Sequence, residues 1–168
     1  MVLDQYGQSP VNDFKIDLND DGTYSFNVTG SALQRFRVDV FGKSSADKLE
    51  YNKDYDFDEA NATAEQVMAY LMSKKIFGVS KSYDQKIAYE IVVLRYAIKG
   101  NFYARYKSTK IAQDVSDEVV AYVNEHMDSL PGVSVDEDMI RKYNYSEYFS
   151  SIIGYTGKIS DTEYKTLS

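Results

Sequence analysis

The sequence predicts an α+β fold, a small antiparallel or mixed sheet packed with about four to five helices. Three observations carry that expectation. Helix-start signals recur ahead of apolar stripes at helical spacing, short runs alternate apolar and polar residues as strands do, and the two patterns follow one another without the strand-helix-strand rhythm of a parallel sheet.

The first element is "FKIDLNDDGTYSFNV", Phe14 to Val28, two alternating runs around Asp-Asp-Gly. Gly22 supplies the positive φ of a tight turn, so a β-hairpin is expected. Leu33, Phe36, Arg37 and Val40 then lie at helical spacing with Gly42 beyond, the pattern of a short helix. Lys43 to Ala60 is polar, acidic and weakly patterned, and reads as a surface loop. Thr63 and Gln66 have capping-box spacing ahead of Val67, Tyr70 and Leu71, with Lys74 and Lys75 as a cationic last turn before Gly78. Ser82 and Gln85 repeat the box, and Ile87, Ile91, Leu94 and Ile98 form a stripe ending at Gly100. "NFYARYKSTKIA" alternates like a strand, after which Ser116 caps a helix carrying Val119, Val123, Met127 and Leu130 up to Pro131-Gly132. Val133, Val135, Met139 and Ile140 resume strand-like patterning. Ser146 opens a short helix over Phe149, Ile152 and Ile153, and Ser160 to Glu163 has the spacing of one more capping box. Ile87, Ile91, Leu94, Ile98, Val119, Val123 and Met127 are the expected core, packed on strands near Phe102–Ile111 and Val133–Tyr143. A helix cut shortly after its start is marginal alone, which suggests a module excised from a longer chain.

Composition narrows the function. The 168 residues are 43% hydrophobic, enough for one domain with a buried core, and the 16 Tyr against 8 Phe and no Trp point to a core rimmed by amphipathic rings. A net charge of −7 disfavours a phosphate-backbone partner, so no nucleic acid is expected. The absence of Cys removes disulfides, thiolate nucleophiles and Cys-based metal sites. No apolar run approaches the roughly 20 residues that span a bilayer, and the N-terminus lacks a signal-peptide pattern, so the chain reads as soluble and untargeted.

Several short motifs have plainer readings. "DLNDDG" places Asp17, Asn19 and Asp21 like the front of a calcium loop, but position twelve is Val28 instead of a bidentate Glu, so a hairpin turn is favoured. These three residues are weak metal candidates, and no cofactor is expected. Ser45 and Lys48 form S-x-x-K, and Ser25 and Asn27 form S-x-N, but neither sits in the order or context that activates a serine, and Leu167 spoils the only K-T-G-like triplet. His126, the single histidine, reads as a helix-surface residue. The acidic stretches "DEANATAE" and "VDEDM" read as solvated loops, and the tyrosines of "RKYNYSEYF" as rim packing. The residues alone thus yield no catalytic constellation.

"LPGVSV", then Arg141-x-Tyr143, then "SSIIGYTGKIS" resembles the ordered motif series of the N-terminal pedestal, or dimerisation domain, of class B penicillin-binding proteins. The segment from "YDQKIAYEIVVLRYAIKG" through "LPGV", with Arg95-Tyr96, is similar to Gram-positive members. The likeness is strongest from Thr63 to Tyr164 and looser from Phe14 to Gly42. It implies one non-catalytic module over residues 1–168, with 14–60 the looser part and 160–168 the start of a junction to a transpeptidase domain. It further implies Arg95, Arg141 and Tyr143 as structural struts and Gly154, Tyr155 and Gly157 as junction residues. The implied partners are the transpeptidase domain of the same parent chain, a membrane-embedded glycan polymerase and cell-wall scaffold proteins, with self-association open. The implied location is extracytoplasmic, in a membrane-anchored parent. A free-standing secreted binding module, calcium-dependent through Asp17, Asn19 and Asp21, is the alternative.

Overall fold

Gly22 adopts φ +83°, a left-handed conformation that a Cβ would strain, and the strands around it close an antiparallel hairpin. β1 (Ile16–Leu18) pairs with β2 (Tyr24–Phe26), Ile16 opposite Phe26 and Leu18 opposite Tyr24. The computed structural model describes residues 2–8, 10–11, 13–100 and 106–137. The chain divides into two compact units, Met1–His126 and Met127–Ser168.

In the first unit a short helix, α1 (Val2–Gln5), precedes the hairpin. α2 (Gly30–Phe41) buries Phe36, Val40 and Phe41 and stops at Gly42, whose φ of +66° lets the Lys43 N–H reach back to the Val38 carbonyl at 3.0 Å. The segment expected as a loop, 43–60, is instead built. A 3₁₀ turn, Ala46–Lys48, leads to a second hairpin in which β3 (Tyr51–Asn52) pairs antiparallel with β4 (Phe57–Asp58), turning at Asp56 with φ +59°. Strands of two residues are too short to show a period, which is why patterning passed over them. "DEANATAE" is likewise no solvated loop: Glu59, Ala62 and Ala64 are buried in it.

α3 (Ala64–Met72) carries the expected capping box: the Thr63 hydroxyl accepts the Gln66 N–H, and Gln66 Oε1 accepts the Thr63 N–H. It buries Val67, Met68 and Leu71 and ends at Ser73, so Lys74 and Lys75 lie beyond its last turn and not in it. α4 (Gln85–Gly100) starts on a different cap from the one expected. Asp84 Oδ1 accepts the Ile87 N–H at 2.9 Å, while Ser82 pairs with the Ser80 hydroxyl and Gln85 reaches away to the Gly22 carbonyl. A carboxylate at the N-cap answers both the orphan N–H groups and the positive end of the helix dipole.

The face that α4 buries also differs. Ala88, Val92 and Val93 are buried and Tyr89 and Tyr96 pack against the core, whereas Ile87, Ile91 and Leu94 are half-buried and Ile98 is 57% exposed. The helix is apolar on two sides, and spacing alone does not say which side meets the core. The smaller side chains of Ala88, Val92 and Val93 face the core because the rings of the first hairpin and α2 already fill its space: Phe14 lies 5.0 Å from Tyr96 and 5.6 Å from Phe36. A second aromatic group, Phe41, Tyr55, Phe57 and Tyr70, closes the other end of the core. Tyr24, Tyr55, Tyr70, Tyr89 and Tyr96 are partly buried around it, the expected rim.

α5 (Asp117–Glu125) begins at Ser116 as expected and buries Val119, but Val123 is only half-buried. It ends at His126, whose N–H is shared by the Tyr122 and Val123 carbonyls, short of Pro131. In the second unit Met127–Ser129 forms a 3₁₀ turn, Met127 is 46% exposed, and Gly132 turns with φ +84°. Residues 106–112 and 133–137 hold no strand, so those parts of the expected strands are corrected, and their remainders lie outside the described residues. The helices expected from Ser146 and Ser160 also lie outside them. Among the described residues, four longer helices and two small antiparallel sheets make the fold α+β.

Candidate functional site

The packing of the first hairpin fixes the geometry of the helical face beside it. Glu65 on α3 accepts the Tyr24 N–H at 2.8 Å, Tyr89 on α4 donates to the Ile16 carbonyl at 2.9 Å, and Gln85 donates to Gly22. Each bond joins segments far apart in sequence, so β1 and β2 are clamped to both helices. The chain leaving α3 then folds back: the Phe77 N–H bonds Leu71 O, and the Gly78 N–H bonds Ser73 O at 2.8 Å with φ +59°. That return leaves the 78–83 loop standing between two hollows. One, of about 920 Å³, is lined by Tyr24, Met72, Lys74, Val79, Lys81 and Tyr83 among others. The other, of about 330 Å³, has Ile91, Leu94 and Arg95 on its α4 side.

Arg95 is thus exposed at the edge of a hollow and makes no hydrogen bond among the described residues. Arg141, Tyr143, Gly154, Tyr155 and Gly157 lie outside the described residues. Asp17, Asn19 and Asp21 are engaged in the hairpin's own hydrogen bonds. Asp17 accepts from Asn27, Asn19 donates to Thr23, and Asp21 Oδ1 accepts both the Thr23 N–H and its hydroxyl, which hold the Asp21 carboxyl below its ordinary pKa. Among the described residues no three His, Asp or Glu side chains gather as a metal site. Ser45 precedes the 46–48 turn and shares the Asp47 carboxylate with Lys48, which together hold the Asp47 pKa below its ordinary value, while Ser25 donates to Asn19. His126 sits exposed at the end of α5, stacked on Tyr122 with ring centroids 4.0 Å apart.

The sequence reading missed two polar anchors. Arg37 on α2 donates through Nη1 to the Ala60 carbonyl at 2.5 Å and through Nη2 to Ala62 at 2.7 Å, with its guanidinium 5.4 Å from the Phe26 ring centroid. Burial pulls its pKa below the ordinary value, with Asp58 opposing. The available signal was an arginine at a core-facing position of an apolar stripe. The other anchor is Glu59, 4% exposed: its carboxylate accepts from Lys43 at 3.1 Å, the Glu50 N–H and Asn52. The hydrogen bond to Glu50, opposed by desolvation and helped by Glu59, holds the Lys43 pKa above its ordinary value. Tyr96, partly buried in the aromatic group and near Asp39, has its hydroxyl pKa pushed up to about 12, chiefly by desolvation.

These features describe an α+β module whose polar groups hold segments together and whose larger hollow, beside the 78–83 loop, is apolar with a cationic edge. Residues 33–168 match the family described as the Penicillin-binding Protein dimerisation domain, and the chain belongs to that family. A 42-residue stretch is 45% identical to Penicillin-binding protein 2A of Bacillus subtilis (strain 168), covering 25% of this chain and 6% of that protein. The chain therefore aligns with a small part of that relative's length. No solved structure matches. Among the described residues no helix is long and apolar enough to cross a membrane. The dimerisation domain is a non-catalytic part of penicillin-binding proteins.

Proposed function

We propose that this chain is the pedestal of a cell-wall transpeptidase: it positions the penicillin-binding domain of the same parent protein and offers a surface to a membrane-embedded glycan polymerase and scaffold proteins. The family match over residues 33–168 is the observation that carries this reading. In this reading the parent is a membrane-anchored, extracytoplasmic D,D-transpeptidase. Arg141 and Tyr143 act as struts, Arg95 acts at the surface, and Gly154, Tyr155 and Gly157 shape the junction.

Two measurements test it. Incubated with a fluorescent penicillin and run on a denaturing gel, the chain should carry no label, and a band that disappears in Ser45→Ala would overturn the non-catalytic reading. In the parent protein, Gly157→Val should impair cell-wall complementation while leaving the fold of the first unit unchanged. Normal complementation by that variant would overturn the junction role.

A further inference from the structure

The 920 Å³ hollow beside the 78–83 loop combines an apolar floor, a cationic edge and polar residues already committed elsewhere. Tyr24, Met72 and Val79 are half-buried there and Tyr83 is 50% exposed, a surface of rings and a pliable thioether that accommodates varied side chains. Ser73 is bonded to the Tyr55 hydroxyl, Ser80 to Ser82, and Gln85 to the Gly22 carbonyl. A small polar ligand would need convergent free donors and acceptors to orient it, and these three are engaged.

Charge narrows the occupant. Lys74 and Lys81 line the hollow, are exposed, and have no ion pair among the described residues, whereas the adjacent Lys75 is paired with Asp54 at 2.7 Å. The acids that flank this stretch in sequence, Glu65 and Asp84, accept the backbone N–H groups of Tyr24 and Ile87. Arg95, which lines the smaller hollow, adds a third cation with no carboxylate partner among the described residues. On a chain of net charge −7 this is a local reversal of sign. It steers acidic groups toward one edge that the rest of the surface repels.

We propose that this hollow docks an extended, acidic segment of a partner protein, with an apolar side chain seated against Met72, Val79 and Tyr83 and flanking carboxylates on Lys74 and Lys81. The inference deepens the pedestal reading by giving one partner surface its chemistry, and it rests on that reading only for biological setting. The test begins by panning a random dodecapeptide library on the immobilised full chain. The recovered peptide is then titrated into ¹⁵N-labelled chain. Enrichment of apolar residues flanked by Asp or Glu is expected, with shifts confined to residues 72–83 and their neighbours on β2 and α4. The double variant Lys74→Glu/Lys81→Glu, altered only at exposed positions, should bind about tenfold more weakly and lose the salt dependence. No enrichment, a basic consensus, or shifts elsewhere would overturn the proposal. So would sedimentation showing a dimer that this variant abolishes, since a second copy would then be the occupant. None of these failures bears on penicillin labelling or on Gly157→Val, so the pedestal reading stands or falls separately.

Discussion

Replacing Arg37 by Ala removes two charge-assisted hydrogen bonds, to the carbonyls of Ala60 and Ala62, and a cation–π contact with Phe26. A hydrogen bond to a charged group contributes roughly 1.5–3 kcal/mol net. Two opposing effects reduce the sum. Truncation relieves the desolvation that lowers the Arg37 pKa and removes a buried Nε that has no hydrogen-bond partner, and water can reach the Ala60 carbonyl. Ala62 is buried, so its carbonyl is the acceptor left stranded. A net loss of about 2–4 kcal/mol follows, or about 5–12 °C in Tm for a domain of this size. Arg37→Lys, which can keep one bond, should lose about half as much. Arg35→Ala, at an exposed position of the same helix, should stay within about 0.5 kcal/mol. Thermal and urea unfolding followed by circular dichroism measures all three. Equal melting of the Arg37→Ala and Arg35→Ala variants would refute the strut.

Three further outcomes follow from the same packing. Leu71→Ala, at a site with 0% exposure, should cost about 2–5 kcal/mol in urea unfolding, and Ile98→Ala, at 57% exposure, less than about 0.5. Asp84→Ala should destabilise by about 0.5–2 kcal/mol through loss of the α4 cap, while Ser82→Ala stays near neutral; the reverse order would restore Ser82 as the cap. Because the folded-state pKa of Tyr96 is raised from 10.0 to about 12, the folded form holds a proton in that window that the unfolded form has lost. Stability is therefore fully present below pH 10 and falls as pH rises toward 12; Lys43, also raised, acts in the same direction, and Tyr96→Phe should make the alkaline decline shallower.

What the sequence made legible was local. The Asp-Asp-Gly hairpin, the Gly42 stop and the Thr63–Gln66 box each depend on residues within a few positions, where backbone chemistry decides the conformation. What stayed hidden was settled by distant partners. Glu59 is buried because Lys43, Glu50 and Asn52 meet it in space, and a run of acids in sequence carries no trace of that meeting. The hollow beside the 78–83 loop draws on β2, α3, the loop and α4, so no spacing rule could assemble it.

The misassigned face of α4 has a physical reason that reaches into function. A helix that only holds a core needs one apolar stripe, and Ala88, Val92 and Val93 with Tyr89 and Tyr96 already provide it. The stronger stripe, Ile87 to Ile98, is left half-buried to exposed, and Ile91 and Leu94 border the hollow where Arg95 stands. Exposed apolar side chains contribute little to folding and raise the risk of nonspecific association. They stand beside Arg95, which has no ion pair among the described residues, an arrangement that favours contact over folding. Replacing Ile91 and Leu94 together by polar residues should therefore leave the core stripe intact and alter association more than stability, which separates a helix with two tasks from one that is simply overloaded with apolar residues.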